Sequence, residues 1–174
     1  MAKGKVVIVT GAGQGIGESI AKLFASEEMN VVVADIKKES GKRTVGDIER
    51  SGGRAIFVET DVSKRSSTDR MVEATLKKFG RLDILVNNAG INYITPIYED
   101  VDEDEWDGVL AVNVKGVYFC MRAAARPMPL VPADPVTMAV RPSSEKIEKS
   151  MRSSFCRLHC LCKTNKIYYR ICLA

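Results

Sequence analysis

Histidine occurs once among the 174 residues. A single imidazole cannot supply the two ligands of an HExxH zinc site, and it leaves no Ser-His-Asp arrangement to pursue. No apolar run approaches the ~20 residues that a membrane helix needs, so no membrane partner is expected. The N-terminus, Met1-Ala2-Lys3-Gly4-Lys5, leads straight into a short strand-like segment. No secretory signal is read there, and a cytoplasmic location is expected. Five cysteines in such a chain fit a reducing compartment better than a disulfide scaffold.

With 45% hydrophobic and 28% charged residues, the composition is that of an ordinary soluble protein with room for one domain. The average conceals a break. Glycine is absent after Gly116, five of the six prolines fall between Pro127 and Pro142, and four of the five cysteines fall between Cys156 and Cys172. Residues 1–126 carry 18 basic and 19 acidic side chains and residues 127–174 carry 8 and 3, so the net +4 belongs to the tail. A folded domain is expected over 1–126, followed by an irregular, basic, Cys-containing tail over 127–174.

The first 126 residues alternate two kinds of pattern. Residues 5–10 (KVVIVT), 31–35 (VVVAD), 55–60 (AIFVET) and 82–86 (LDILV) are short β-branched runs of the sort buried on both faces of a sheet. Between them lie helical spacings: 15–28 with Ile16, Ile20, Leu23 and Phe24 on one stripe, 38–51 ending at Gly52-Gly53, and 67–79 with Met71, Val72, Thr75, Leu76 and Phe79 inward. After a loop containing Pro96, Asp102 and Glu105 suit the start of a helix carrying Trp106, Val109 and Leu110; a further helix is expected over 113–125. Strands separated by helices of about a dozen residues imply right-handed crossovers and a parallel sheet. The expected class is α/β, doubly wound, with about four strands, the fourth being an open edge.

The stretch Thr10-Gly11-Ala12-Gly13-Gln14-Gly15-Ile16-Gly17 lies between the first strand and the first helix. Glycines there let the backbone turn sharply and approach a pyrophosphate, while the helix N-terminus offers free N–H groups to the anion. A GxGxxG reading fails, because Ile16 and Glu18 stand where the third glycine is needed; TGxxxGxG fits through Thr10, Gly11, Gly15 and Gly17. No GxxxxGK[ST] sequence is present, which argues against a P-loop ATPase. Asp35 ends the second strand 18 residues after Gly17, followed by Ile36. A carboxylate there accepts hydrogen bonds from ribose hydroxyls and repels a 2′-phosphate, so NAD is expected over NADP. Lys37 and Lys38 argue the other way, and Asp35 as a cap of the next helix is the competing reading.

These motifs, with Asp61-Val62, Asn87-Asn88-Ala89-Gly90 and Asn113 within VNVKGVYF, make residues 1–126 resemble the N-terminal half of a short-chain dehydrogenase/reductase, akin to 3-oxoacyl-carrier-protein reductases and sugar or hydroxysteroid dehydrogenases. The resemblance implies a Rossmann-like fold and hydride transfer between a nicotinamide dinucleotide and a carbonyl or secondary alcohol. It implies that Asp61 and Val62 border the adenine and that Asn88, Ala89 and Gly90 line the cofactor. Asn113 would be the family's catalytic Asn, holding a helix kink and a proton-relay water.

The same resemblance calls for a Ser and a Tyr-x-x-x-Lys pair. Position four after Tyr93, Tyr98, Tyr118, Tyr168 and Tyr169 holds Ile97, Asp102, Arg122, Cys172 and Leu173. None is Lys, and Arg122 is a poor substitute for the relay lysine. Ser143-Ser144 follows Arg141-Pro142 rather than an apolar strand. After Arg126 prolines recur too often for a central strand, and no later strand is expected. The tail reads as a segment translated in another frame, or from non-coding sequence, joined near residue 127. Its Cys156, His159, Cys160 and Cys162 match no standard zinc spacing, so no metal is expected; a metal module remains an alternative. Its basic residues beside Tyr168-Tyr169 are weak ground for nucleic acid, which is not expected as a partner. The expectation is a truncated, catalytically incompetent chain that keeps its cofactor motifs. The alternative is a non-enzymatic module that associates with itself or with full-length homologues.

Overall fold

A computed structural model describes residues 3–92 and 102–128, together with the backbone of 171–173. The chain forms two compact units, Met1–Pro129 with Tyr169–Ala174, and Leu130–Tyr168; every described residue lies in the first. Pro96, Ser143-Ser144, Cys156, His159, Cys160, Cys162 and all tyrosines except Tyr118 lie outside the described residues.

In chain order the elements are β1 (Val6–Thr10), α1 (Gly15–Ser26), β2 (Asn30–Asp35), α2 (Lys38–Arg50), β3 (Arg54–Glu59), α3 (Arg65–Phe79), β4 (Ile84–Asn87), α4 (Glu103–Leu110), a π-helical segment (Ala111–Gly116), α5 (Val117–Ala125) and β5 (Ile171–Leu173). The strands form one parallel sheet in the order β3-β2-β1-β4-β5. Alternate residues of the central strands feed two apolar layers. Val7, Val9, Val31, Val33, Ile84 and Val86 pack with Ala21 and Ala25 of α1 and Ile48 of α2. Val6, Ile8, Val32, Ala34 and Leu85 pack with Met71 and Val72 of α3 and Cys120 and Ala124 of α5. Burial on both faces is why these strands read as unbroken apolar runs. Two helix ends are set by glycine: Gly52, after α2, and Gly80, after α3, take φ of 82° and 74°, a region costly for other residues.

Three expectations need correction. The four expected parallel strands are present, but β4 is not an open edge and a later strand exists, because Ile171, Cys172 and Leu173 pair with Leu85, Val86 and Asn87; a three-residue apolar segment is too short for period reading, yet it covers that stretch of the β4 edge. The stripe of α1 is Gly17, Ala21 and Ala25 with Ile20 and Phe24 flanking, while Ile16 and Leu23 face outward. Small residues take the sheet-facing line because the helix start lies against the glycine turn. Finally, 103–125 is one continuous helical run, with helical backbone at Leu110, Ala111, Gly116 and Val117, rather than two helices. Asp102 begins it as expected, its side chain accepting from the amides of Asp104 (2.8 Å) and Glu105 (3.4 Å).

Candidate functional site

The carboxyl ends of β1 to β4 open onto a cleft of about 390 Å³. Its walls are the glycine turn and start of α1 (Gly11, Gln14, Gly15, Ile16, Gly17), the end of β2 (Asp35, Ile36, Lys37), the end of β3 (Thr60, Asp61, Val62), the segment after β4 (Asn88, Ala89, Gly90, Ile91) and Val112. This is the edge at which doubly wound sheets take ligands.

The glycine turn is held by close contacts that no side chain would permit. A Cβ on Gly11 would stand 2.9 Å from Ala89 Cα, and one on Gly17 would collide with Gly11 O and Asn88 Nδ2. Thr10, buried behind the turn, joins it to the end of β4: its Oγ1 donates to Val86 O (3.2 Å) and accepts from the amides of Asn88 (3.0 Å) and Ala89 (3.1 Å). Asn88 Nδ2 donates in return to Thr10 O (2.9 Å) and Gly11 O (3.2 Å). No side chain caps the start of α1 at Gln14, so the first-turn amides present their partial positive charge at the cleft wall.

Two carboxylates stand opposite. Asp35, buried at the end of β2, accepts from the amides of Gly13 (2.8 Å) and Lys37 (2.9 Å), one on each oxygen. Asp35 lines the cleft but does not cap α2: on that side it reaches only the amide of Lys37, the residue before that helix, and no side chain caps the helix start. Its oxygens keep lone pairs for a further donor. Asp61 Oδ1 accepts from the Ser63 hydroxyl (2.6 Å) and amide (3.0 Å), and Lys64 Nζ lies 3.1 Å from Oδ2. Burial alone would raise this carboxyl, but the Ser63 and Lys64 hydrogen bonds outweigh it and hold it below the usual carboxylate range. Lys64 stays largely exposed, so the pair is screened by solvent.

Asn113 lies in the π-helical segment, outside the cleft wall. Its Oδ1 accepts from Ile91 N (2.9 Å) and its Nδ2 donates to Ile91 O (2.8 Å), tying the end of the 88–91 wall to the helical run. The π segment itself presses on the adenine-side wall expected at Val62, because a Cβ on Gly116 would stand 2.9 Å from Val62 Cγ2. Thr10 and Gly13 also sit behind the wall rather than on it. Thr60, Ile91 and Val112 line the cleft without having been singled out in the sequence. Thr60 had the same signal as Asp61, its position just past a strand; Val112 had none, because the π turn presents it.

Tyr118 is exposed. Arg122, four residues on, hydrogen-bonds Asp69 of α3. Cys120 is free and buried, its thiol pushed up to about 12 by burial, which makes it unreactive. Among the described residues no cluster of His, Cys, Asp or Glu suits a metal ion, and no helix is long and apolar enough to cross a membrane.

A family model for short chain dehydrogenases matches residues 5–145, so the match continues past Arg126. The short chain dehydrogenase/reductase astE of Aspergillus oryzae is 44% identical over 121 residues, covering 69% of this chain and 46% of that protein. Among solved structures, a 3-ketoacyl-(acyl-carrier-protein) reductase from Brucella melitensis, complexed with NADH, superposes with a TM-score of 0.66 at 45% identity, covering 70% of this chain and 49% of that one. A short chain dehydrogenase/reductase from Burkholderia phymatum in complex with NAD gives 0.69 at 36% identity, with 72% and 44% covered. The chain spans about half the length of the relatives it matches.

Proposed function

Because the chain belongs to the short-chain dehydrogenase family, we propose that its cleft binds a nicotinamide dinucleotide, NAD in preference to NADP, and that these 174 residues do not turn it over. The observation carrying the binding reading is a turn with no room for a Cβ at Gly11 or Gly17, next to uncapped helix amides and a buried carboxylate. Gly11, Gln14, Gly15, Ile16 and Gly17 hold the pyrophosphate. Asp35 and Ile36 hold the adenosine ribose, and the negative Asp35 disfavours a 2′-phosphate. Asp61 and Val62 border the adenine, and Asn88, Ala89 and Gly90 lead toward the nicotinamide. Thr10 and Gly13 shape the turn, and Asn113 fixes the wall through Ile91. When bound, the nicotinamide gives or takes a hydride.

The missing step is proton transfer to a carbonyl or from a secondary alcohol. A phenol of ordinary pKa, about 10, is a poor acid–base at neutral pH, and no tyrosine here precedes a lysine by four residues. Titration of the full chain with NADH, followed by nicotinamide fluorescence, is expected to saturate. NADH-linked assays over a panel of carbonyl compounds are expected to give no protein-dependent turnover. A folded chain that fails to bind NADH overturns the first half of the reading; inhibitor-sensitive turnover overturns the second.

A second reading has its own observation. Trp106, Leu110, Val114 and Tyr118 recur at every fourth residue and are each 41–61% exposed. An apolar stripe of this kind marks an association surface, and its occupant is read as a second copy of this chain or a full-length homologue.

A further inference from the structure

Gly13 occupies a free position of the TGxxxGxG pattern, and nothing in that pattern requires glycine there. Its surroundings do. The amide donates to Asp35 Oδ2 at 2.8 Å. Its carbonyl accepts from Arg43 Nη2 (3.2 Å) and from Thr44 Oγ1 (3.3 Å), both on α2. The backbone of this one residue is thus gripped by β2 through its amide and by α2 through its carbonyl. The second oxygen of Asp35 is fixed by the Lys37 amide at 2.9 Å, so both carboxylate oxygens are oriented by backbone donors. A Cβ on Gly13 would stand 2.7 Å from Ser40 Oγ and 2.9 Å from Asp35 Oδ2. Ser40 can rotate away, but Asp35 cannot keep its place. The backbone of Gly13 lies outside the positive-φ region, so the glycine is there for space and not for conformation.

Building on the proposed dinucleotide reading, we infer that Gly13 is a positioning residue for cofactor choice: with Arg43 and Thr44 it sets the Asp35 carboxylate that discriminates a ribose 2′-hydroxyl from a 2′-phosphate. Gly13 does not line the cleft, so it acts through Asp35 alone. The device also makes α2, none of whose residues lines the cleft, part of the selectivity.

The test is the affinity of the full chain for NADH and for NADPH, each by fluorescence titration, in wild type and in Gly13→Ala. The alanine is expected to weaken NADH binding about tenfold, the scale of one lost charge-assisted hydrogen bond, and to change NADPH binding less, so the ratio of the two affinities falls. Thr44→Val, which touches neither ligand nor Asp35, is expected to lower the ratio in the same direction by a smaller factor. A merely structural role would weaken both ligands alike. A second readout needs no cofactor: exchange of the residue-13 amide proton is expected to be slow in wild type and at least tenfold faster in Asp35→Ala. Wild type that binds NADH, with an unchanged ratio in Gly13→Ala, overturns the inference, as does an unprotected residue-13 amide in wild type. A protected amide in a chain that binds neither dinucleotide overturns the cofactor reading while leaving the grip on Asp35 established.

Discussion

Asp83 shows how much one side chain can hold. It exchanges hydrogen bonds with Val6, accepting from Val6 N on Oδ2 (2.8 Å) and donating its own amide to Val6 O (2.9 Å), and Arg81 Nε lies 2.8 Å from the same carboxylate. These bonds set the start of β4 against the start of β1. Burial raises this carboxyl, but Arg81 and the Val6 amide more than offset it, so its pKa is held below the ordinary value. The folded state therefore prefers the ionised form. Its contribution is complete above the unfolded carboxylate pKa of about 4 and is lost as pH falls through the lower folded value. Asp83→Ala is expected to cost about 2 kcal/mol at neutral pH, by urea denaturation, with the gap to wild type narrowing below pH 4. This residue was not legible in the sequence: the run LDILV announced a strand, but the partner of its Asp lies 77 residues away. Asp35 was legible because its position, at a strand's end after a glycine turn, carried the inference.

At the scale of elements, the sequence exposed what repeats and hid what depends on approach. Strand positions followed from β-branched runs, and the stops of α2 and α3 from glycines. The inward face of α1 did not follow, because hydrophobic spacing favoured Ile16 and Leu23, whereas close packing on the turn selects Gly17, Ala21 and Ala25. Size, not hydrophobicity, decides which side chain faces a tightly held backbone. Gly17→Ala tests this at a position whose backbone is ordinary helix. It is expected to destabilise by about 1–3 kcal/mol, read as a lowered melting temperature, and to weaken NADH binding as the turn moves off Asn88. The continuity of α4 with α5 was equally hidden, since a π turn has no signature in hydrophobic period.

For the molecule as a whole, the proposed association surface is the exposed line of Trp106, Leu110, Val114 and Tyr118. Leu110→Asp is expected to shift sedimentation toward monomer at micromolar concentration while changing stability by less than about 0.5 kcal/mol, as an exposed site should. A change of composition near residue 126 was visible from proline, cysteine and charge, but the pairing of Ile171–Leu173 with β4 was not, because three residues carry no period. The helical insertion at Ala111–Gly116 has a geometric effect on that line. In an uninterrupted α-helix, residues four apart advance by about 40° per step, so three steps would spread the row over a third of the circumference. A wider turn in the middle winds the other way, as a stutter rephases a coiled coil. The distorted segment that carries Val112 at the cleft wall thereby also straightens the row on the outer surface, so restoring a regular α-helix there would disturb both surfaces at once.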